Sequence, residues 1–387
     1  MMGGIFLEKK EAKLPTLCVQ NHSSNLMPLK SGDILCVWFS GTQEGMADIS
    51  IYLSRLKTGE VEWSVPVKLS EDPTTSEQNP VLFQAPDGNL WLMWTAQKAG
   101  NQDTAKVRYR ISEDDGYTWG SIRVLFDTPG TFVRQPVVML DNCDWLIPVF
   151  YCKASPSRKW VGDEDYSAVK ISADQGKTWL EYVVPNSTGC VHMNVEKRSD
   201  GSLLALFRSR WADWIYISRS QDNGRTWSEP VPTTLPNNNS SMQFTKLKNG
   251  HLALVFNNRN TTAGTARRAS LYDEIKDDDA EQTPAADGQS RPGKRTAIWG
   301  TPRAPLTIAL SEDEGKTWPL RRDLETGDGY CLTNNSKEGL NREYSYPSIK
   351  QTDDGMIHIT YTYFRQYIKH VCITEGWVRG NVRGCCR

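Results

Sequence analysis

The chain has 387 residues, with 45 basic and 46 acidic side chains and a formal net charge of -1. This balance offers no basic surface for nucleic acid or an anionic membrane, and no apolar run reaches the ~18 residues of a membrane-spanning helix. Nine cysteines without the CxxC spacing of a zinc site favour buried thiols in a reducing compartment. The N-terminal segment lacks the apolar core of a signal peptide, so we expect a cytoplasmic protein; a secreted chain after signal removal would read similarly.

A short pattern, S-x-D-x-G-x-T-W, occurs four times, starting at Ser112, Ser172, Ser220 and Ser311. In each copy the aspartate can accept hydrogen bonds from backbone N–H groups of a tight turn, and the glycine supplies the positive φ that the turn needs. The tryptophan is expected to pack the hairpin against its sheet. We interpret these aspartates as structural, and the spacing of the copies is typical of the blades of a β-propeller.

The same order of strands recurs along the chain: an apolar strand, a glycine turn, a second apolar strand and a third strand that ends in the repeat. In chain order the predicted blades cover residues 20–70, 76–128, 132–186, 190–235, 238–325 and 343–378. The sequence therefore predicts an all-β fold, a single six-bladed β-propeller over 1–387 whose ring is closed by an N-terminal strand. A polar, charged segment at 260–295 is expected to be a flexible insertion in blade 5.

The inner strands of a propeller begin around one mouth of its channel, so their first residues converge. Counting back nine residues from the glycine of the first turn, with Pro136 aligning blade 3, selects Ser23, Asn79, Gln135, His192, Ser241 and Tyr346. His22 and Arg134 directly precede two of these positions. The ring is polar where ordinary core strands are apolar, and its two histidines lie in opposite blades. Arg208, at the end of the second strand of blade 4, returns to the same face. These residues predict a shared polar site at the mouth.

The repeats, the six blades and the segment EYSYPSI resemble the sialidase superfamily, in its branch with BNR repeats, over roughly residues 15–378. The resemblance implies arginines that hold a substrate carboxylate, a tyrosine nucleophile and an aspartate acid/base. Arg208 matches the second of those arginines, and Arg268, Arg303 and Arg342 are the alternatives for the third. The tyrosine is Tyr344 or Tyr346, and Asp48, with Glu44 nearby, matches the aspartate.

Two positions depart from that family. His22, Ser23 and Ser24 stand where the family has an R-I-P motif, and His192 stands where it has a glutamate. A histidine can act as a base near neutral pH, and the set of His, Tyr and Arg also resembles the sites of propeller-fold polysaccharide lyases that act on uronic acids. There, arginine or histidine neutralises the carboxylate and histidine or tyrosine moves the proton.

We therefore expect an exo-acting, sialidase-like glycoside hydrolase that cleaves the bond to a terminal acidic sugar. A uronate lyase that works by β-elimination is the alternative enzyme. The non-catalytic alternatives are a glycan-binding propeller and a protein-interaction scaffold. The expected catalytic residues are His192, His22, Tyr344, Tyr346 and Asp48. The expected substrate contacts are Arg208, Arg134, Asn79, Gln135 and Arg303. We expect an acidic oligosaccharide as partner and no cofactor; a channel-bound Ca²⁺ or Na⁺ is the alternative.

Overall fold

The computed structural model describes residues 9–154, 159–262, 266–268, 270–272, 274–275 and 295–380. The described chain forms six antiparallel sheets arranged as the blades of a propeller, which confirms the predicted fold class. Strands of successive blades contact one another, including the inner strands of the sixth and the first, so the ring is closed. Within the residues described above, no helix is long and apolar enough to cross a bilayer.

The strands follow one another blade by blade. The N-terminal strand is β1 (Lys10–Lys13). Blade 1 contains β2 (Gln20–Pro28), β3 (Ile34–Gly41), β4 (Ser50–Leu56) and β5 (Val67–Lys68). Blade 2 contains β6 (Ser76–Gln84), β7 (Leu90–Lys98), β8 (Asn101–Ser112) and β9 (Arg123–Phe126). Blade 3 contains β10 (Thr131–Val133), β11 (Val138–Met139), β12 (Trp145–Tyr151), β13 (Tyr166–Ser172) and β14 (Leu180–Val183).

Blade 4 contains β15 (Cys190–Lys197), β16 (Leu203–Ser209), β17 (Trp214–Ser220) and β18 (Val231–Pro236). Blade 5 contains β19 (Gln243–Lys246), β20 (Leu252–Asn257), β21 (Leu306–Ser311) and β22 (Leu320–Glu325). Blade 6 contains β23 (Tyr344–Gln351), β24 (Ile357–Tyr363) and β25 (Tyr367–Ile373), and a short helix, α1 (Glu375–Arg379), follows it. The outermost strand of blade 6 is β1, which pairs antiparallel with β25, so an N-terminal strand closes the ring as predicted.

The four repeats form the turns that the sequence predicts. In the first, Asp114 Oδ1 accepts from the Thr118 N–H at 2.8 Å and Gly116 has a φ of 88°. The indole Nε1 of Trp119 donates to the Gly116 carbonyl at 3.1 Å, which seats the ring on the turn. The same aspartate contacts recur in the other three copies. Because the carboxylates are used within their own turns, the repeats shape the hairpins and leave the channel chemistry to other residues.

Apolar side chains fill the spaces between neighbouring blades, with one buried cluster at each of the six blade contacts. Alternate residues of each strand face one neighbour or the other, because side chains of a strand point to opposite faces of its sheet. A seventh cluster lies over the channel mouth and includes Trp160, Tyr272 and Trp299. Two of these residues belong to the connection between β20 and β21. The insertion predicted at 260–295 falls largely outside the described residues, and its flexibility stays a prediction.

Two histidines of blade 6 form a buried pair, away from the channel. The rings of His358 and His370 stack with centroids 5.2 Å apart, and Nδ1 of the first lies 2.9 Å from Nε2 of the second. Trp63 Nε1 lies 3.2 Å from Nδ1 of His370. Since an indole N–H can only donate, His370 carries its own proton on Nε2 and donates it to His358. This chain of hydrogen bonds requires both rings to be neutral.

The His370 pair is expected to make stability depend on pH. Burial, and then the neighbouring His358, lowers the pKa of His370 from its usual 6.5 to about 3. The unfolded chain therefore takes up the proton first, so this stability is fully present above pH 6.5 and is lost as the pH falls towards 3. Between pH 6.5 and about pH 4.5 the loss from this ring is ~2–3 kcal/mol. Urea unfolding at the two pH values should show a smaller loss for His370→Gln than for the wild type. Equal losses in the two proteins would contradict this assignment.

Candidate active site

Four inner strands carry a β-bulge at their first residues, at the positions that the sequence alignment selects. The register shifts in β2, β6, β15 and β23, and Ser23, Asn79, His192 and Tyr346 there have φ values of 63°, 52°, 52° and 52°. A left-handed conformation is costly for residues other than glycine, and bulges re-aim side chains. Ser23 Oγ donates to Asn79 Oδ1 at 2.8 Å, and the rings of His192 and Tyr346 lie 5.6 Å apart. The bulges therefore bring side chains of different blades together.

Gln135 and Ser241 are the other two positions that the sequence alignment selects, and they belong to blades 3 and 5. Gln135 Nε2 donates to the Met242 carbonyl at 2.7 Å, and Gln135 Oε1 accepts from Gln243 Nε2 at 3.0 Å. Both ends of the Gln135 amide are thus used between blades. Ser241 is buried, and its hydroxyl has no hydrogen-bond partner in the described part of the chain.

Tyr346 stands at the centre of the site. Its phenol oxygen accepts a hydrogen bond from Arg208 Nη1 at 2.6 Å, and its ring centroid lies 4.2 Å from that of His22. The guanidinium carbons of Arg134 and Arg303 are 5.4 and 5.5 Å from the ring. Only 6% of Tyr346 is exposed. The phenol is therefore buried among positive charges.

Arg208 is a buried cation that lacks a carboxylate partner within the described residues. It is 1% exposed, and its Nε donates to Asn239 Oδ1 at 2.7 Å. Nη1 is shared between Tyr346 and His192 Nε2, which lies 3.3 Å away. Nη2 has no hydrogen-bond partner among those residues. Burial lowers the pKa of Arg208 to about 10, so the group stays charged at neutral pH. A buried charge without a counter-ion costs free energy, and the Nη2 group of this guanidinium is available to donate to an anion.

Two other arginines at the mouth are neutralised by glutamates. Arg365 donates from Nε to Glu343 at 2.8 Å and from Nη1 to Glu44 at 2.5 Å. Arg303 Nη1 lies 3.1 Å from the other oxygen of Glu343. Burial alone would raise the pKa of Glu343, but Arg303 and Arg365 together hold it below its usual value. The Glu343 carboxylate is therefore ionised, and both carboxylates are occupied by arginine.

Arg134 binds backbone instead of a carboxylate. Its guanidinium donates to the carbonyl oxygens of Ser24, Tyr346 and Pro347 at 3.1, 3.2 and 3.1 Å. These carbonyls belong to the bulged inner strands of blades 1 and 6. Arg134 thus reaches from blade 3 and fixes the strand that carries Tyr346.

Both histidines at the mouth are neutral. Burial, followed by the arginines around them, lowers the pKa of His22 and of His192 well below 6.5. Because Arg208 can only donate, Nε2 of His192 accepts and the ring proton sits on Nδ1. His22 Nδ1 lies 2.8 Å from Thr362 Oγ1, while its buried Nε2 has no partner among the described residues. Two neutral imidazoles beside a phenol provide a base and a proton donor without a free carboxylic acid.

The structure does not bring every predicted residue to this site. Asp48 is exposed, and its two oxygens accept from the Thr42 N–H and hydroxyl, both at 2.9 Å, so that its carboxylate closes its own loop. Tyr344 packs against the rings of Tyr363 and Phe364 instead, with centroids 5.2 and 5.3 Å away. The bulge that turns Tyr346 into the channel leaves Tyr344 in the apolar space between blades.

Among the alternatives for the third arginine, Arg303 is the one beside Tyr346. Arg342 lies at the surface and pairs with Asp328 at 2.6 Å. Arg268 donates to Asn334 at 3.0 Å and to the Leu271 carbonyl at 2.7 Å. The sequence alone supplied no motif to choose among the three.

Sequence reasoning missed Glu343, Arg365 and Asn239 as members of the site. Glu343 immediately precedes the Tyr-Ser-Tyr element, and this position could have identified it as a site residue. Arg365 lies in the turn between β24 and β25 with a φ of 55°, and its pairing with Glu44 joins distant parts of the chain. No local pattern identifies such a contact.

Aromatic residues cover the site. The Arg208 guanidinium lies 5.8 Å from the Trp299 ring, and Asn239 Nδ2 donates to the Ile298 carbonyl at 2.9 Å. Trp160 contacts Trp299 with centroids 5.7 Å apart. The cover excludes water and strengthens the electrostatic interactions beneath it.

Several solved structures share this fold. The Hadza microbial sialidase Hz136 is 16% identical, with a TM-score of 0.68 over 93% of this chain and 66% of that chain. A protein of unknown function from Dyadobacter fermentans is 15% identical, with a TM-score of 0.66 over 94% of this chain and 97% of that one. The intramolecular trans-sialidase from Ruminococcus gnavus is 13% identical, with a TM-score of 0.64 over 93% and 95%. This chain thus spans just under two thirds of Hz136 and nearly all of the other two.

At these identities the likeness shows a shared fold. No curated protein matches the sequence. The family described as the BNR repeat-like domain matches residues 32–359, which is most of the chain and includes all four repeats. The chain belongs to the BNR repeat-like domain family, with the propeller fold of the sialidases.

Proposed function

We propose that the protein is a sialidase-like glycosidase that cleaves the bond to a terminal acidic sugar. The observation that carries the proposal is Arg208: a buried guanidinium with an unused Nη2, in contact with the phenol of Tyr346. A substrate carboxylate would satisfy that nitrogen and neutralise the charge. The solved structures of similar fold include sialidases, which supports an acidic sugar as ligand.

In this proposal Tyr346 attacks the anomeric carbon as the glycosidic C–O bond breaks, and the phenol proton passes through His192 to the departing oxygen. A phenol suits a substrate that carries a carboxylate, because a glutamate or aspartate nucleophile would be repelled by that charge. Arg208 Nη1 lies between Tyr346 and His192 Nε2, so a carboxylate that takes over this donor frees the imidazole to act as a base. Water then hydrolyses the glycosyl-tyrosine intermediate. The aromatic cover over the mouth favours the end of a glycan over the interior of a long polymer.

The neutral histidines favour one second candidate, β-elimination at a uronic acid. Glu343 and Glu44 are held in ion pairs, so His22, His192 and Tyr346 are the remaining proton carriers among the mouth residues described above. Arg208 would neutralise the carboxylate, His192 would take the C5 proton and Tyr346 would protonate the leaving oxygen. A C4=C5 double bond would form as the C4–O bond breaks.

A screen of sialylated oligosaccharides and of oligosaccharides that carry uronic acid, either at the non-reducing end or with a further sugar on its O4, tests the proposal and separates the two reactions. Both create a new reducing end, but only elimination creates a conjugated double bond that absorbs ultraviolet light. We expect Tyr346→Phe to lower kcat by roughly 10³-fold, because one atom of the reacting group is removed. Tyr344→Phe is the matched control from the same motif and should keep full activity. An active Tyr346→Phe variant, or no product from any substrate, would overturn the proposal.

A further inference from the structure

The side chain that holds the Nε atom of Arg208 is a neutral amide, that of Asn239. Asn239 Oδ1 accepts from Arg208 Nε at 2.7 Å, and Asn239 Nδ2 donates to the Ile298 carbonyl at 2.9 Å. Asn239 is 2% exposed, and its backbone N–H donates to Asn237 Oδ1 at 3.0 Å. Both ends of the amide are therefore used, and the amide fixes one edge of the guanidinium.

Two other buried arginines near the mouth have a carboxylate at the same nitrogen. Arg365 Nε donates to Glu343 at 2.8 Å, and Arg210 Nε donates to Asp165 at 2.9 Å. Arg208, Arg210 and Arg365 are each no more than 2% exposed. The three contacts are thus similar in length and burial but differ in charge, because a carboxylate neutralises its arginine and an amide does not.

This difference in charge changes the state of two arginines that lie two residues apart. Burial lowers the pKa of Arg208 to about 10. Burial alone would also lower the pKa of Arg210, but Asp165 raises it above its usual value. Arg208 Nη2 has no hydrogen-bond partner among the described residues, whereas Arg210 Nη2 lies 2.7 Å from Asp165. The attraction for an anion is therefore preserved at Arg208 and cancelled at Arg210.

The backbone at residue 239 does not by itself require an amide. Its φ is 56°, in the left-handed region, which asparagine and aspartate both adopt more readily than other residues except glycine. Aspartate would also accept from Arg208 Nε. Two properties therefore distinguish asparagine from aspartate here: asparagine has a donor for the Ile298 carbonyl, and it is neutral.

We propose that Asn239 makes the mouth selective for an acid, because its neutral amide orients Arg208 without cancelling the charge that a substrate carboxylate would neutralise. The inference rests on the function proposed above and adds the residue that sets its selectivity. Asn239 acts through Arg208, so it is a positioning residue. An aspartate at this position would form an internal ion pair, with which the carboxylate of the ligand would have to compete.

Calorimetric titration with N-acetylneuraminic acid and glucuronic acid, and with the neutral methyl ester of each, tests this role. The acid preference is the ratio of the affinities for an acid and for its ester. We expect a preference of at least ~30-fold in the wild type and of less than ~3-fold in Asn239→Asp. Asn239→Leu should weaken the binding of both ligands but keep the preference, because the charge of Arg208 stays uncompensated. A purely structural role predicts the reverse order, since aspartate keeps an acceptor for Arg208 Nε and leucine does not.

Asn238→Asp is the matched control, the same substitution one residue earlier. Asn238 Nδ2 donates to the Pro302 carbonyl at 2.9 Å, much as Asn239 Nδ2 does to Ile298. Asn238 Oδ1 is buried and has no hydrogen-bond partner in the described part of the chain, so this side chain does not hold Arg208. Its acid preference should stay above ~10-fold.

A folded Asn239→Asp variant, checked by circular dichroism, that keeps the wild-type preference would overturn the inference while the proposed function stands. An equal loss of preference in Asn238→Asp would overturn it too, because net charge at the mouth would explain both results. If Asn239→Asp does not fold, Asn239→Leu decides, and a preference below ~3-fold in that neutral variant contradicts the inference. A wild type that binds acid and ester equally would show that the proposed function itself has failed.

Discussion

Replacing Arg208 with methionine is expected to abolish binding of an acidic sugar while leaving the protein at least as stable as the wild type. The side chain is buried without a carboxylate partner among the described residues, so the free protein bears the cost of an uncompensated charge. Methionine removes that charge and fills similar space. We expect the free energy of unfolding to stay constant or rise by up to ~2 kcal/mol, and the affinity for the acid to fall at least ~100-fold.

Arg365→Met is the matched control for this prediction. Arg365 is equally buried but contacts both Glu343 and Glu44, so its loss should cost ~3–5 kcal/mol of unfolding free energy. Urea unfolding and calorimetric titration with the acidic monosaccharide measure the two effects. If Arg208→Met is as unstable as the control and still binds the acid, Arg208 has a structural role and the proposed function loses its main support.

Replacing Glu343 with glutamine is expected to be among the most destabilising single changes in the protein. One carboxylate neutralises two buried guanidinium groups, with Arg365 Nε at 2.8 Å and Arg303 Nη1 at 3.1 Å. Glutamine keeps the shape and loses the charge, so both arginines are left short of a counter-ion. Breaking a buried pair from one side typically costs ~3–5 kcal/mol. Urea unfolding at pH 7 measures this loss.

Two further variants make the Glu343 result specific. Glu181→Gln breaks a part-exposed pair with Lys170 and should cost under ~1 kcal/mol. Combining Glu343→Gln with Arg303→Met removes one of the stranded charges and should recover part of the lost stability. A loss below ~1 kcal/mol for Glu343→Gln alone would show that the arginines find other acceptors.

The channel ring could be predicted from the sequence because it is tied to a local feature. In four blades the bulge lies nine residues before the turn glycine, so aligning the turns also aligns the residues that face the channel. His192 and Tyr346 were selected in this way without any knowledge of blade packing. The four repeats identified four of the six blades for the same reason, since each one depends only on its own turn, and the recurring order of strands supplied the other two.

The alternation of side chains along a strand could not decide which of the two tyrosines reaches the channel, because the decision depends on a β-bulge. Tyr344 and Tyr346 are two residues apart and would share a face in a regular strand. The bulge after Ser345 separates them, and only one reaches the channel. Asp48 was predicted from a resemblance, but the nearby Thr42 offers its carboxylate two hydrogen bonds. The ion pairs of Arg365 escaped prediction because their partners are far apart along the chain.

The N-terminal strand has a consequence for how the protein is made. Lys10 pairs with Cys372 and Lys13 with Lys369, so β1 cannot pair until β25 has been synthesised. Five blades can assemble on the ribosome, but the ring stays open, with a free sheet edge on each side of the gap, until β25 has left the exit tunnel. Nascent chains therefore carry free sheet edges, which can associate with other chains, until blade 6 has been made. Charged side chains on an edge strand oppose such association, and β1, with the sequence KEAK, carries three of them.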